Sequence, residues 1–270
     1  MSQPQDAVER PLADRPLAGR HAVVTGASRG IGAAIARELA RIGCDLTLVA
    51  RSQGPLVKLA EELHDTGVRV AAVSADLTDD DAVAEALARA AGGLGDPAIL
   101  VNNAGGAETA PLARTDRAML ERVLELNFTS TFLVTRAAVP AMVKAGWGRV
   151  VNVASTAGLK GYAYVSAYVA AKHAVVGLTR ALAVELAKSG VTVNAVCPGY
   201  TDTPMLDASI AAVAAKTKRA RDDIRADFAA ANPMARLIKP EEVAAAVGWL
   251  CRPEATSITG VVLPIAAGEI

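Results

Sequence analysis

Two residues of the segment YVAAK, Tyr168 and Lys172, have the types and the spacing for acid–base chemistry. Residues four apart lie on the same face of a helix, so the phenol and the ammonium can act together. A tyrosine can donate a proton to an oxygen that gains negative charge during a reaction. Its ordinary pKa is about 10, and a neighbouring lysine cation would favour the phenolate and lower that pKa. The pair indicates proton transfer to a carbonyl oxygen or from a hydroxyl group.

Ser155 and Asn127 precede this pair and extend the candidate site. Ser155 ends an apolar segment, residues 149–155, that has the composition of a strand. A hydroxyl at the carboxyl end of a strand could hydrogen-bond a substrate carbonyl and orient it for reaction. An isolated tyrosine or serine is more often a packing or turn residue. Several such residues in an ordered arrangement favour the catalytic interpretation.

A glycine cluster, TGASRGIG at residues 25–32, lies between an apolar segment and a helical pattern. A strand, a tight turn and a helix in this order can bind a dinucleotide pyrophosphate on the helix N–H groups. The spacing is G-x-x-x-G-x-G, whereas the usual dinucleotide fingerprint is G-x-G-x-x-G. Glycine-rich turns also occur for backbone reasons alone, so the cluster by itself is weak evidence.

The elements that must hold these residues are short apolar segments that alternate with helical patterns. The strand candidates are 21–25, 45–50, 69–75, 98–104, 149–155, 191–196 and 260–265. Strands that are apolar on both faces and are separated by helices predict a parallel sheet. We therefore expect an α/β fold: a single-domain, Rossmann-like, doubly wound sheet of seven mainly parallel strands with helices on both faces.

Two segments depart from this alternation. Residues 1–19 are polar and contain prolines, which predicts a flexible N-terminal arm before a dinucleotide-binding catalytic domain at 20–270. Residues 206–233 have helical periodicity without a strand. An insertion at the carboxyl edge of a parallel sheet stands where ligands bind, so we expect a lid at about 200–237.

The composition favours a small-molecule partner. The 28 basic residues balance 28 acidic ones, which argues against a nucleic-acid partner. No run of about 18 apolar residues predicts a membrane span. The three cysteines are scattered, which fits a reducing cytoplasm. His21 and His64 have no partners at ligand spacing, so no metal site is predicted.

Taken in order, these motifs resemble those of the short-chain dehydrogenase/reductase family, whose glycine motif is T-G-x-x-x-G-x-G. The resemblance covers residues 21–260 and includes NNAG at 102–105, Asn127, Ser155, the Tyr-x-x-x-Lys pair and the dipeptide PG at 198–199. It implies a catalytic tetrad in which Tyr168 is the acid and Ser155 orients the carbonyl. Lys172 would also hold the nicotinamide ribose, and Asn127 would hold a water that relays protons to the lysine. The resemblance further implies a homotetramer.

The resemblance also implies which residues bind a nicotinamide cofactor. Besides Tyr168 and Lys172, these are Gly26, Ser28, Arg29, Gly30, Ile31, Gly32, Arg51, Ser52, Asp76, Leu77, Asn103, Ala104, Gly105, Pro198, Gly199, Thr201 and Thr203. By the same resemblance, Asp76 would contact the adenine amino group.

Residues near the predicted ribose favour NADP(H) over NAD(H). An acid about 20 residues beyond the glycines selects NAD, and Asp45 is near that count. However, Asp45 opens the second strand, whereas the carboxyl end of that strand holds Ala50 and Arg51. Arg51 and Arg29 could pair with a 2′-phosphate in forked geometry. The alternative is that both arginines are solvated surface residues.

We therefore expect an NADP(H)-dependent oxidoreductase that reduces a ketone, such as a β-ketoacyl thioester, to a secondary alcohol. One alternative is a hydroxyacyl-CoA or secondary alcohol dehydrogenase that works oxidatively in degradation. An alternative of another class is a non-catalytic NADP(H)-sensing regulator. The same fold hosts many functions, so the substrate rests on analogy.

The segment KTKRARDDIR at 216–225 bears on the substrate class. Its bases are Lys216, Lys218, Arg219, Arg221 and Arg225. One interpretation is that these bases form a solvated, ion-paired helix face. The other is that some of them bind the phosphates of coenzyme A or of a carrier protein's pantetheine arm. In the second case, the apolar lid residues would cover the acyl chain. These residues are Met205, Leu206, Ile210 and Phe228.

Overall fold

The structure, a computed structural model, describes residues 15–270. The strands are β1 (His21–Thr25), β2 (Asp45–Ala50), β3 (Val70–Ser74), β4 (Ile99–Asn102), β5 (Gly148–Val153), β6 (Val191–Pro198) and β7 (Val262–Ile265). The helices are α1 (Gly30–Arg41), α2 (Gln53–His64), α3 (Asp80–Leu94), α4 (Arg117–Leu124), α5 (Ser130–Ala145), α6 (Ser166–Glu185), α7 (Pro204–Thr217), α8 (Arg221–Ala230) and α9 (Pro240–Cys251).

The seven strands of the described chain form one sheet in the order β3-β2-β1-β4-β5-β6-β7. Every neighbouring pair is parallel. The chain builds outward from β1 to β3 on one side and from β4 to β7 on the other. A parallel sheet binds ligands at the point where its strand order reverses, which here lies between the carboxyl ends of β1 and β4. The predicted single-domain, doubly wound fold is confirmed.

Successive strand residues face opposite layers of helices. Ala22 and Val24 of β1 pack in a core with residues of α1, α2 and α9. Val23, between them, packs in a second core with residues of α3, α5 and α6. Because successive side chains of a strand point to opposite faces, continuously apolar strands require a layer of helices on each side. The sheet is therefore held from both faces, and its carboxyl edge has a fixed shape.

Residues 15–19 belong to the folded domain, which corrects part of the predicted N-terminal arm. Leu17 is fully buried in the core with α1, and its N–H donates to the carbonyl of Ile42 at 3.1 Å. The Arg15 guanidinium donates to the carbonyl of Thr66. The polar composition of the segment concealed one leucine that packs against the domain. The rest of the predicted arm, residues 1–14, lies outside the described residues.

The insertion after β6 forms the helices α7 and α8, which have a small apolar core of their own. Leu206, Ile210 and Ile224 are buried there, with Tyr200 and Phe228 packed against them. A parallel bridge between Thr201 and Ile238 closes the base of the segment. None of the helices in residues 15–270 combines the length and the apolar character that a membrane span requires.

Candidate active site

The glycine-rich turn joins β1 to α1 at the carboxyl edge of the sheet. Gly26 has φ +62° and Gly30 has φ +57°, a left-handed conformation that glycine adopts without strain. Position 32 has no room for a side chain, since a Cβ atom there would lie 2.3 Å from the Gly26 carbonyl oxygen. The glycines therefore allow the first turn of α1 to approach the end of β1 closely.

The segment after β4 closes one side of this turn. The Thr25 hydroxyl oxygen accepts hydrogen bonds from the backbone N–H groups of Asn103 at 2.9 Å and Ala104 at 3.0 Å. The Asn103 side-chain amide donates to the carbonyls of Thr25 and Gly26, both at 3.1 Å. Thr25 is not among the predicted site residues, although its position at the start of the glycine motif could have indicated it. Its hydroxyl ties the two motifs together.

The residues around the start of α1 fit a dinucleotide pyrophosphate. The first N–H groups of a helix have no acceptors within the helix and carry a partial positive charge. Arg29 precedes α1 and makes no side-chain capping bond, so it does not satisfy those groups. The close approach at Gly26 and Gly32 forms a cradle that larger side chains would fill. Ser28, Gly30 and Ile31 complete the segment that would hold the phosphates.

Arg51 and Asp76 lie next to this cradle, at the ends of β2 and β3. Hydrogen bonds from Thr78 hold the pKa of Asp76 below its ordinary value, and the nearby Arg51 cation lowers it further. Ser52 is exposed beside Arg51, and Leu77 is buried beside Asp76. These residues border the place where the adenosine half of a dinucleotide would lie.

Arg29 and Arg51 are both exposed, and neither forms a salt bridge within residues 15–270. Asp45 lies at the opposite end of β2 and pairs with Arg69 at 2.6 Å. Asp45, the acid about 20 residues beyond the glycines, therefore does not lie at the cradle. The exposed Arg29 precedes α1, and the exposed Arg51 follows the carboxyl end of β2.

Tyr168 and Lys172 lie one turn apart on α6, as their spacing predicts. Lys172 is buried, and its ammonium donates to the Val153 carbonyl at 2.9 Å. That ammonium lies 5.7 Å from the centroid of the Tyr168 ring, in a cation–π contact. Burial lowers the pKa of Lys172 to about 8. Lys172 can therefore lose its proton near neutral pH.

The structure corrects one expectation about this pair. The pKa of Tyr168 is raised and not lowered, because burial raises it and the hydrogen bond with Ser155 opposes this only in part. The lysine is itself buried against a backbone carbonyl, so its cation is disfavoured at the place where it would stabilise a phenolate. A raised pKa keeps the phenol protonated at neutral pH, which suits a proton donor to a carbonyl oxygen.

Ser155 lies two residues after the end of β5 and is half-buried. Its hydroxyl oxygen accepts a hydrogen bond from the N–H of Ala157 at 3.1 Å, which begins the short helical turn of residues 156–158. Ser155 also forms a side-chain hydrogen bond with Tyr168, which lowers the pKa of that tyrosine, so the two residues are in contact. A carbonyl oxygen between Ser155 and Tyr168 would meet two hydroxyl groups.

Asn127 lies in a π-helical turn, residues 125–129, between α4 and α5. Its side-chain amide donates to the carbonyls of Gly106 at 2.8 Å and Val123 at 2.9 Å, and its oxygen accepts from the Gly106 N–H at 3.1 Å. A Cβ atom on Gly105 would lie 2.7 Å from that oxygen and 3.5 Å from the Lys172 ammonium. The Asn127 side-chain oxygen and the Lys172 ammonium therefore both lie close to Gly105, where a larger residue would have its side chain. Such π-turns often occur at functional sites.

The end of β6 completes the site on the side of the insertion. Pro198 ends the strand and Gly199 follows it, and the buried Thr201 donates its hydroxyl to the Gly199 carbonyl at 2.9 Å. Thr203 caps α7, and its methyl carbon lies 3.3 Å from the position of a Cβ atom on Gly30. The start of the insertion therefore contacts the glycine turn. In this way the predicted catalytic and cofactor residues line the same edge of the sheet.

A model of the short chain dehydrogenase family matches residues 20–214 of the sequence. The chain belongs to this family. It is therefore an oxidoreductase of the short-chain dehydrogenase/reductase type, and the resemblance found in its motifs is confirmed. The described residues contain no group of three or more His, Cys, Asp or Glu side chains that could hold a metal ion.

Relatives of this short-chain dehydrogenase include both dehydrogenases and reductases. Cis-4-hydroxycyclohexanecarboxylate dehydrogenase of Sinomonas cyclohexanicum is 43% identical over 93% of the chain and 97% of the relative. The 3-oxoacyl-[acyl-carrier-protein] reductase of Pseudomonas aeruginosa is 38% identical over 93% of the chain and 98% of the relative. A crystal structure of actinorhodin polyketide ketoreductase with NADPH is similar with a TM-score of 0.89 and 35% identity, over 93% of this chain and 97% of that one.

Proposed function

We propose that the protein is an NADP(H)-dependent reductase that converts a ketone to a secondary alcohol. The observation that carries this proposal is the hydrogen bond between the Ser155 and Tyr168 side chains, with the Lys172 ammonium 5.7 Å from the Tyr168 ring. The glycine turn lies at the same edge of the sheet, and Arg29 and Arg51 next to it form no salt bridge within residues 15–270. The similar ketoreductase structure contains NADPH, which supports the choice of cofactor.

In this proposal, nicotinamide supplies the hydride when the cofactor is bound. The Ser155 hydroxyl donates a hydrogen bond to the substrate carbonyl and orients it. Tyr168 gives its proton to the carbonyl oxygen as that oxygen gains negative charge. Lys172 would hold the ribose, and Asn127 would position the water that returns a proton to the lysine.

We infer that the substrate is a β-ketoacyl thioester or a related carbonyl. The relatives named as reductases of ketoacyl groups, among them that of Pseudomonas aeruginosa, support this class. The oxidative alternative is favoured by the Sinomonas cyclohexanicum relative and by relatives named as D-beta-hydroxybutyrate dehydrogenases. A non-catalytic regulator has less support, because all four residues of the proposed tetrad, Asn127, Ser155, Tyr168 and Lys172, are present.

The proposed function is tested with purified protein, NADPH and a panel of acyl thioesters, β-keto esters and cyclic ketones. The loss of NADPH absorbance measures reduction. The reverse reaction, NADP⁺ with the matching alcohols, tests the oxidative alternative. Binding of NADPH without turnover of any carbonyl or alcohol would favour the regulator.

We expect the protein to prefer NADPH over NADH, and we expect Arg29→Ala and Arg51→Ala each to reduce that preference about tenfold. Each guanidinium would lose a charge-assisted bond to the 2′-phosphate, which NADH lacks. The measurement is the ratio of kcat/KM for the two cofactors, with Arg89→Ala on the exposed surface of α3 as the matched control. A native preference for NADH, or equal loss with both cofactors, would contradict this assignment.

We also propose that residues 20–270 form the catalytic domain and that residues at about 200–237 form a lid over its site. Two basic residues of this lid are already ion-paired, since Arg219 pairs with Asp227 at 2.7 Å and Arg225 pairs with Asp202 at 2.6 Å. Lys216, Lys218 and Arg221 are exposed. Of the apolar residues expected to cover an acyl chain, Leu206 and Ile210 are buried inside the lid, which corrects that expectation, and Met205 is 48% exposed.

If the free bases bind the phosphates of coenzyme A or a pantetheine arm, replacing Lys218 and Arg221 by alanine will raise KM for an acyl-CoA substrate several-fold. The KM for a short β-keto ester, which lacks phosphates, will hardly change. The pair Lys144 and Lys188, exposed elsewhere, gives a control of equal charge when replaced by alanine. Equal effects on both substrates would show that the segment is an ordinary lid.

We propose that the protein is a homotetramer that works in the cytoplasm. The support is a face of α6 that is exposed in the single chain although its residues are small or apolar. These residues are Ala170, Gly177, Ala181 and Val184. Val184 is 80% exposed, and Phe132 of the neighbouring α5 is 41% exposed. Sedimentation equilibrium, which gives the mass of the assembly, tests the oligomeric state.

A further inference from the structure

Glu269 is a buried carboxylate that the proposed reaction does not use. It lies in the segment after β7, and its side chain is only 6% exposed. A buried carboxylate is costly unless charged or polar groups compensate it. Here the Lys160 ammonium lies 2.9 Å from its Oε1 atom, and the Tyr162 hydroxyl donates a hydrogen bond to the same atom. Both partners belong to the loop that follows Ser155.

The hydrogen bonds continue from Glu269 to the residue next to Ser155. The Tyr162 and Thr156 hydroxyl oxygens are 2.7 Å apart. Tyr162 has one proton, which it donates to Glu269, so Thr156 donates to Tyr162. Burial and the Glu269 hydrogen bond raise the pKa of Tyr162, which keeps this proton in place. The chain of bonds thus fixes the backbone at Thr156, one residue from the serine that would orient the substrate.

The same carboxylate contacts the other wall of the site. A Cβ atom on Gly199 would lie 2.9 Å from the Oε2 atom of Glu269, so the turn after β6 packs directly on it. The Tyr162 ring meets the Tyr200 ring edge to face, with centroids 6.2 Å apart, and Tyr200 meets Phe228 of α8 at 4.8 Å. Glu269 therefore contacts the loop of Ser155 directly and the insertion through three aromatic rings.

We propose that Glu269 is a positioning residue for the ketone half of the site, where it holds the loop of residues 156–164 against the turn at Gly199 and the helix α8. The inference rests on the proposed function, because its main readout is reduction of a ketone. Among the described contacts, Glu269 touches neither the glycine turn nor Tyr168 nor Lys172, and it meets the predicted cofactor residues only at Gly199, so we expect the larger effect on the ketone and the smaller one on NADPH.

The test compares Glu269→Ala with Glu269→Gln and Tyr162→Phe, using a β-keto ester and NADPH. Glu269→Ala removes the acceptor of the Tyr162 proton, and we expect kcat/KM for the ketone to fall about 10- to 100-fold, since small displacements of orienting groups have effects of this size. The Kd of NADPH will stay within about twofold. Glu269→Gln keeps an acceptor for Tyr162, and the 40% exposed Lys160 can turn to water, so this variant will recover most of the activity.

Tyr162→Phe keeps the ring and removes the hydroxyl. The double variant Tyr162→Phe with Glu269→Ala will have a kcat/KM for the ketone no lower than that of the less active single variant, because the two residues act through one hydrogen bond. Glu254→Ala, an exposed carboxylate outside the site, is the control. An unchanged kcat/KM in Glu269→Ala, or a loss of NADPH affinity equal to the loss of ketone turnover, would overturn the proposal. If Glu269→Ala does not fold, Glu269→Gln and Tyr162→Phe decide by the same criteria.

Hydrogen exchange separates this inference from the proposed function. In Glu269→Ala, amides of residues 156–164 will exchange faster than in the native protein, while those of residues 21–50 will not change. This measurement needs neither cofactor nor substrate. A native enzyme that turns over no ketone would refute the proposed function and leave the exchange result to decide the role of Glu269. Unchanged exchange at 156–164 would refute that role.

Discussion

Tyr168→Phe is expected to abolish ketone reduction almost completely, with a fall in kcat of roughly 10²- to 10⁴-fold, the range that a positioned acid contributes. The substitution removes only the hydroxyl that would protonate the carbonyl oxygen. The ring remains and keeps its cation–π contact with the Lys172 ammonium. The Kd of NADPH, measured by fluorescence titration, should therefore stay close to the native value.

The exposed Tyr164, four residues before Tyr168, gives a matched control, since Tyr164→Phe removes a hydroxyl outside the hydrogen bonds described for the site. We expect it to retain activity. Near-native turnover by Tyr168→Phe would remove this residue from the mechanism. Loss of NADPH binding along with turnover would instead mean that the substitution disturbs the fold of the site.

Lys172→Met is expected to lose both turnover and cofactor affinity, because the lysine has two proposed roles. One charge-assisted bond to the ribose corresponds to a Kd for NADPH about 10- to 100-fold weaker. The loss of the proton relay adds a fall in kcat. Separate measurement of the Kd and of kcat at saturating NADPH distinguishes the roles. A fall in kcat with an unchanged Kd would refute the ribose contact.

The same lysine gives the native enzyme a pH dependence. Burial lowers the pKa of Lys172 to about 8, so the cation that would bind the ribose and return the proton is present below this pH and is lost above it. We expect kcat/KM for NADPH in the direction of reduction to fall as the pH rises through about 8. In Lys172→Met this limb of the profile should disappear. A limb that persists in the variant would belong to another group.

The sheet could be predicted, and the catalytic residues can be proposed, because each depends on a local pattern. Continuously apolar strands separated by helices allow few other architectures. The spacing of Tyr168 and Lys172 fixes their common helix face. Asp45 could be set aside correctly for a similar reason, since its position at the start of β2 places it far from the carboxyl edge.

The features that could not be predicted depend on contacts between distant segments. The pKa of Tyr168 is governed by burial, which spacing along a helix does not reveal. Glu269 follows β7 in the segment AAGEI, and nothing in that segment indicates that it meets Lys160 and Tyr162. Leu17 was hidden in a polar stretch, and its partner Ile42 is remote in sequence. Such residues are found only when the fold brings their partners together.

The Thr25 hydroxyl has a consequence for the order in which the protein folds. It binds Asn103 and Ala104 across 78 and 79 positions of sequence, so the cofactor cradle cannot close until β4 has joined β1. Contacts between such distant positions form slowly, because a long loop must be ordered before they add stability. A nascent chain that has not yet produced β4 therefore contains the complete glycine motif without its hydrogen-bonded wall. NADPH affinity would then appear late in synthesis, and it would report that the two halves of the sheet have assembled.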